Sequence, residues 1–580
     1  MKAESRNFVI FAATAALILL AWSLISPRLF PAAPPVTRVV NGKTQPLPNP
    51  RADPVASTAV HARPLATVLA DSPRLRVETP ELSGSIALKG ARVDDLVLNR
   101  YKQDLSRNAA PTRLLSPSGA PDAYFAQFGW SGDGLSAPST DTVWTADAAT
   151  LTPQRPVTLR WTSPTGQRFA LRVAVDEHFM FTVTQSVGNT GATPITAGPY
   201  ALLSRAGESK DVGSWSNHIG PIGVFNNAAK YSIDYGNLAG KPPSFFWRLF
   251  GDDTQGGANY FDTTGGWLGF GDKYWLTALI PDQRVGVHSG FRSSGPDQFQ
   301  ADVALAPRPL RPGQVLTTTT RLFAGAKEVN LLDSYETGGV SLFGKAVDWG
   351  WFAFIEKPIF TYLDWLFRHV GNFGVAIVLL TLTIKALLFP IANKQFASMA
   401  SMRAVQPKMK ALQERYKDDK PRQQQEVMAL YKQEKVNPVA GCLPAFLQIP
   451  IFYALYKVLL TSIEMRHQPF VLWIKDLSAP DPLTPVNLFG LLPFDPPGLL
   501  HLGVLAILLG VTMWLQMRMN PAAGDPAQQQ VMAIMPWMMM LFFAPLAAGL
   551  QLYYVANNLL TLVQQRVLYA RHPQLKAAAA

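Results

Sequence analysis

Cysteine is almost missing. The chain has one, Cys442, among 580 residues, so no intrachain disulfide can form and redox usage says nothing about compartment. Gly441 and Leu443 beside it mark a small residue at the mouth of an apolar run rather than an activated thiol. Catalytic signatures are missing as well. Asp176-Glu177-His178 is not the H-E-x-x-H of a zinc protease, and neither G-x-S-x-G nor a Cys/His cluster occurs. No metal or cofactor is therefore expected, and Asp176, Glu177 and His178 read as a solvated turn rather than an acid/base group. Long apolar runs are absent from the whole middle of the chain. They collect in Phe8–Ile25 and after Phe373, and the later ones contain no Asp or Glu.

What is present is a chain 48% hydrophobic with 52 Lys+Arg against 40 Asp+Glu, a formal +12. That length implies several units, and the uneven apolar content implies a membrane protein with a large extramembrane domain. Lys2 and Arg6 precede Phe8–Ile25, and the Pro-Ala-Ala-Pro that follows is a poor cleavage site, so residues 1–27 are expected to be a retained signal-anchor helix. Residues 28–60 read as a flexible linker; Pro31–Ser57 lacks periodicity and reads as disordered.

From 61 to 335 the pattern is β. Phe169, Leu171, Val173 and Val175 alternate with polar or small partners in "RFALRVAV", "FMFTVTQSV" follows, and Gly, Asn, Asp and Pro turns recur. The expectation is a large antiparallel β-sandwich. The aromatic stretches "SFFWRLFGDD" and "GGANYFDTTGGWLGFGDKYW" read as core rather than as a sugar or peptide groove. In residues 342–370, Trp351, Phe354, Ile355 and Ile359 share a helical face away from Glu356 and Lys357, which suits an amphipathic helix lying in the membrane interface.

Residues 371–570 hold five expected spans, at about 373–391, 443–463, 499–517, 531–547 and 549–568. The segment Ala392–Ala440 carries ten basic and five acidic residues, whereas Glu464–Pro497 has only Arg466 and Lys475 as basic residues. The positive-inside rule then places the first loop in the cytoplasm and the second outside. With the anchor this makes six spans, both termini cytoplasmic and the β domain outside. Within 392–440 an apolar stripe (Met399, Met402, Val405, Met409, Leu412, Tyr416), a "KDDKPR" turn and a second stripe (Val427, Leu430, Tyr431) predict a helical hairpin. Its basic face is either a solvated topology signal or a docking surface for anionic lipid, RNA or an acidic partner. Residues 571–580 form a short tail.

Lys385 interrupts the run "VLLTLTIKALLFP". A lysine this close to a span end is able to snorkel, and on insertion scales a central charge costs only about 2.5–3.5 kcal/mol. Other spans carry polar residues too. Thr381 and Lys385 are i,i+4, as are Thr512 and Gln516; Gln551, Tyr554, Asn558, Thr561 and Gln565 make a stripe on the last span, and Gln448 adds an amide. Polar faces avoid lipid, so these should turn together. Given the topology, Lys385, Gln448, Gln516, Asn558, Thr561 and Gln565 fall in the cytoplasmic half, implying a wet, positive cavity closed outward. Interhelical hydrogen bonds, worth about 0.6 kcal/mol each, explain the stripe alone as well. Met532, Met535, Met538, Met539 and Met540 give one span a polarizable surface suited to varied apolar partners, or simply to lipid.

"EKVNPVAGCLPAFLQIPIFYALYKVL", "LWIKDLSAPDP", "DPAQQQVMAIMPWMM" and "GLQLYYVANNLLTLVQQ" closely resemble the YidC family of bacterial membrane protein insertases over about residues 343–570, and the β domain and anchor match its Gram-negative layout. The resemblance implies a five-helix insertase core with an all-β periplasmic domain in the inner membrane, no catalysis, and a hydrophilic groove open to cytoplasm and lipid. It implies as partners nascent membrane proteins, membrane lipids, the Sec translocon, the signal recognition particle receptor and the ribosome. Thr381 and Tyr554 match substrate-contacting positions, and Lys385 stands where the family usually has arginine, keeping charge but losing bidentate bonding. The apolar substrate path beside the third and fifth spans is assigned to Ile449, Phe452, Met535 and Met538. The "ARHPQLKAAAA" tail is short and mildly basic, and Asn487–Leu500 extends the outer loop. A transporter would require repeats and midplane sites; a tethered periplasmic enzyme would require a carboxylate or metal constellation. Neither is visible.

Overall fold

The computed structural model describes residues 38–40, 43–45, 62–211, 217–240, 258–295, 297–417, 419–434, 443–489, 491–492, 502–519 and 526–571. The expected anchor, Cys442, most of the outer-loop extension and the tail lie outside these. Within the stretch expected to be unstructured, Arg38–Val40 pairs antiparallel with Lys43–Gln45; the Asn41-Gly42 between them is a strong hairpin-turn sequence. The chain divides into two units, breaking at Val347/Asp348.

The first unit is built of two antiparallel sheets. An eleven-stranded sheet runs from Asn259–Thr264 through Gly286–Gly295, Gln298–Ala304, Ile195–Ala206, Tyr124–Ser131, Arg92–Lys102 and Leu82–Ala87 to Arg74–Glu78, where Thr150–Leu151 adds in parallel. A nine-stranded sheet is centred on Trp275–Pro281, Val315–Ala326, Met180–Asn189 and Gln167–Val175. The alternation in Gln167–Val175 is realised residue by residue: Phe169, Leu171, Val173 and Val175 are buried. Val173 pairs with Val183 and Phe169 with Val187. Asp176 shapes the turn between these strands, its Oδ1 accepting from His178 N at 2.9 Å and Met180 N at 3.0 Å. Its Oδ2 accepts from the Tyr335 hydroxyl. Among the described residues the unit also has three small helices, α1 (Leu65–Ala70), α2 (Tyr235–Leu238) and α3 (Val329–Thr337).

Between the sheets lies an aromatic layer in which Phe270 meets Tyr124 edge-on at 6.2 Å and Phe291 at 6.1 Å. Of the second aromatic stretch, Trp267 and Phe270 are buried, while Tyr260 is exposed and stacks on His288. The described part is thus mostly core; Ser244–Asp253 lies outside the described residues. One acid breaks the apolar rule. Asp302 is fully buried, accepts from Gln300 Nε2 at 3.0 Å and lies 3.4 Å from Arg292 Nε, while its Oδ2 has no partner. Burial pushes its carboxyl up to about 6, against the pull of Arg292.

The second unit is helical. Of the residues expected to form one amphipathic helix, Phe343–Ala346 is a 3-10 turn that still belongs to the first unit, and Gly350–Phe352 is a second such turn that opens this one, followed by α4 (Ala353–Val370). Its buried face also differs from the expectation. Glu356, Phe360, Leu363 and Leu366 point inward and Phe354 is exposed. Spacings of four and three place those four on one face, and a buried lysine opposite Glu356, described below, reverses the usual sorting of charge and apolar groups. Then come α5 (Phe373–Arg415), α6 (Lys420–Gln433), α7 (Leu443–Thr461), α8 (Val504–Met519), α9 (Pro526–Phe543) and α10 (Ala548–Arg571). Among the described residues, only Phe373–Asn393 is by itself long and apolar enough to cross a membrane. Its 21 residues rise roughly 31 Å. Gln448–Thr461, Val504–Met519 and Met532–Phe543 are shorter apolar helices.

Asn372 caps α5, its Oδ1 accepting from Val375 N at 3.1 Å. This helix continues without a break past Pro390 and Pro407 as the first arm of the hairpin. The second arm, α6, is capped by Asp419, which accepts from Arg422 N at 3.2 Å. Val405, Met409 and Leu430 form a small core with Leu412, Val427 and Tyr431 against it, so the apolar stripe packs the hairpin on itself. After α7, the Leu472–Pro482 loop is organised by Asp481. Its Oδ1 accepts from Trp473 Nε1 at 2.9 Å and Leu483 N at 3.0 Å, and its Oδ2 from Leu505 N at 2.8 Å, tying the loop to the first turn of α8.

Candidate functional site: a polar seam among four helices

Polar residues from α5, α7, α8 and α10 meet in the second unit because those helices would otherwise present hydroxyls and amides to hydrocarbon. Lys385 on α5 donates from Nζ to Thr561 Oγ1 of α10 at 2.9 Å. Thr561 in turn donates to Asn557 O of its own helix at 2.6 Å. An ammonium has three donors, and Thr561 takes one of them. Lys385 is half-buried. One turn earlier, Thr381 is buried and donates to Ile377 O at 2.7 Å, leaving its oxygen only as an acceptor.

Asn558 sits one turn below Tyr554 on α10 and is buried; its Nδ2 donates to Thr512 Oγ1 of α8 at 3.1 Å. Thr512 in turn donates to Leu508 O at 2.7 Å. This pair is an interhelical clasp. Gln516, one turn further along α8, is half-buried, and Gln565 is buried. Gln448 on α7 donates to the hydroxyl of Tyr553 at 2.5 Å. Tyr554 instead packs edge-on against Phe452 at 5.1 Å and Phe543 at 4.5 Å.

One member of the stripe has a different task. Gln551 is fully buried and its Nε2 donates to the carbonyls of Phe543, Ala544 and Leu546, closing the C-terminal end of α9. Phe543 O also accepts from Leu546 N at 3.0 Å, and Ala544 and Leu546 lie just past the helix end. Ile449 is 60% exposed and Met538 53% exposed, while Met535 and Phe452 are half-buried. Lys385 is not the sole ammonium among these helices. Lys457 on α7 is a second ammonium in an apolar helix, only 2% exposed, and lies 3.7 Å from Asp348. A charge inside "YALYKVLL" was itself the available signal.

The family model described as 60Kd inner membrane protein matches residues 365–575, and that of the YidC periplasmic domain matches residues 74–362. A membrane protein insertase YidC of Zymomonas mobilis is 48% identical over 573 residues, spanning 98% of this chain and 96% of that protein. The chain belongs to the YidC family. The YidC insertase of Methylorubrum extorquens is also 48% identical, over 87% of this chain and 82% of its own length. A crystal structure of an active YidC insertase with its first transmembrane domain resolved aligns over 85% of this chain and 92% of its own, at 16% identity and a TM-score of 0.36, a likeness too weak to carry the architecture. As a YidC protein the chain is a membrane protein insertase of the inner membrane with a periplasmic domain, and insertion is not an enzymatic activity.

Proposed function

We propose that the seam around Lys385 is a hydrated, positive groove, open to cytoplasm and lipid, that receives the hydrophilic flank of a nascent membrane protein. The observation that carries this reading is the half-buried ammonium of Lys385, held against α10 by a hydroxyl rather than by a carboxylate. Thr381, Gln448, Gln516, Tyr554, Asn558, Thr561 and Gln565 line or brace the groove. The Asn558–Thr512 and Gln448–Tyr553 pairs brace it; Lys385, Gln516 and Thr561 are among its half-buried polar groups. Both termini and the α5–α6 hairpin lie in the cytoplasm, in accord with the basic excess of that hairpin. The N-terminal segment anchors the β domain on the far side.

Insertion proceeds without nucleotide hydrolysis. A polar tail enters the groove, so only the outer half of the bilayer has to be crossed in an apolar setting. The following apolar segment leaves along Ile449, Phe452, Met535 and Met538 into lipid, releasing roughly 25 cal/mol per Å² of apolar surface. Each carboxylate carried outward gains about 2.3 kcal/mol per 100 mV of membrane potential. The hairpin offers a basic surface for ribosome and targeting-receptor contacts, and the Sec translocon works beside the same exit. Photocrosslinking from position 385 or 554 during synthesis of a single-span substrate tests the proposal: adducts to the translocating tail are expected at both positions. Adducts to lipid alone would overturn it.

A further inference from the structure

Glu356 on α4 is 0% exposed, and neither carboxylate oxygen has a hydrogen-bond partner. Lys457 of α7 is the nearby cation and approaches Asp348 at 3.7 Å. Asp348 also accepts from Gly350 N at 3.1 Å, which fixes the turn that leads into α4. Gly350 holds a left-handed φ of +64°, and a Cβ there would come within 2.9 Å of Lys457 Nζ, so the backbone is moulded to the ammonium. Glu356 thus lies inside without a hydrogen bond, beside an ammonium that Asp348 also approaches. A buried carboxylate that makes no hydrogen bond is costly as an anion, and taking up a proton removes that cost.

We propose that Glu356, Asp348 and Lys457 form a proton-binding site whose protonated state clamps α4 onto α7. The groups facing Glu356 are Lys457 and Tyr453 from α7 and Asp348 from the preceding turn; the part of α5 from Phe373 to Ile384 has no ionisable side chain. Burial pushes the Glu356 carboxyl up to about 7; Lys457 pulls it down and Asp348 pushes it up. A carboxyl raised in the clamped state binds its proton more tightly there than in the released state. Clamping is therefore strongest in acid and weakens as pH rises toward about 7. The site is independent of the groove and stands whether or not that reading holds.

Hydrogen exchange of the full-length chain in liposomes, corrected for intrinsic rates between pH 5.5 and 8.5, reads the clamp directly. Amides of α4 in the wild type are expected to lose protection by up to about tenfold per pH unit as pH rises toward neutrality. Glu356→Gln should abolish that dependence and stay protected. Asp348→Asn should move the transition to lower pH and Lys457→Met to higher pH, opposite shifts that loosened packing alone does not give. Protection that is independent of pH in the wild type, or an unchanged transition in Glu356→Gln, overturns the proposal; so does a shift of Asp348→Asn toward higher pH.

Discussion

Replacing Lys385 by methionine keeps most of the side chain's length and removes its charge. The Thr561 hydroxyl that accepts from it already donates to Asn557 O, so the helices lose one hydrogen bond and gain no orphaned donor. What disappears is attraction for acidic groups in the passing tail. At about 7 Å, a unit charge pair is worth roughly 0.6 kcal/mol in water and 2.4 kcal/mol at the effective dielectric of a half-buried site. If that attraction acts in the rate-limiting entry step, each tail carboxylate should lose between about threefold and fiftyfold in insertion rate. Proteoliposomes reconstituted with each variant, challenged with single-span substrates carrying zero to three acidic tail residues, give the answer by protease protection. Neutral tails should insert at nearly the wild-type rate and acidic tails progressively more slowly; Lys385→Glu should steepen the trend and Lys385→Arg should abolish it. An equal loss for neutral and acidic tails would refute the electrostatic role.

Other consequences are structural. Asp481→Ala removes a buried carboxylate that accepts three hydrogen bonds; at about 1.5–3 kcal/mol for each bond to a charged group, the unit should melt markedly earlier in detergent. Gln551→Leu removes the buried amide that the carbonyls of Phe543, Ala544 and Leu546 share just at and past the end of α9 and should cost about 1–3 kcal/mol by the same measurement, with faster exchange at Phe543–Leu546. Asp302→Asn should flatten the pH dependence of the periplasmic unit. The raised carboxyl favours the fold in acid and loses that contribution as pH rises from about 4 to about 6. Chemical denaturation should therefore find the variant gaining up to about 3 kcal/mol on the wild type at pH 7 and nothing at pH 4.

The two-period alternation in Arg168–Val175 and the 3.6-period stripes of the hairpin were readable because each follows from burial of one face of a regular element. Loop chemistry was readable in part: Asp176 acts as a turn former, as its setting between two strands suggested. Two kinds of feature were not legible. Helix ends were misplaced where no local residue sets them, as in the uninterrupted passage of α5 into the hairpin. Charge partners distant in sequence were invisible: Glu356 lies inside because Lys457 is opposite, and a single-helix amphipathicity argument has no means of knowing that. The polar stripe of α10 was seen as one surface, yet its members divide into Gln551 at a helix end, Asn558 in a clasp and Thr561 against Lys385. Periodicity gives the face, and only the neighbours give the task.

Cysteine placed singly at positions 385, 516 and 561, in a chain whose Cys442 is replaced by serine, tests the hydrated groove most directly. A membrane-impermeant thiol reagent applied from the cytoplasmic side should alkylate all three, while cysteine at the buried position 551 stays unreacted. If the three resist alkylation as completely as position 551 does, the seam is dry, and the polar residues do no more than hold the helices together.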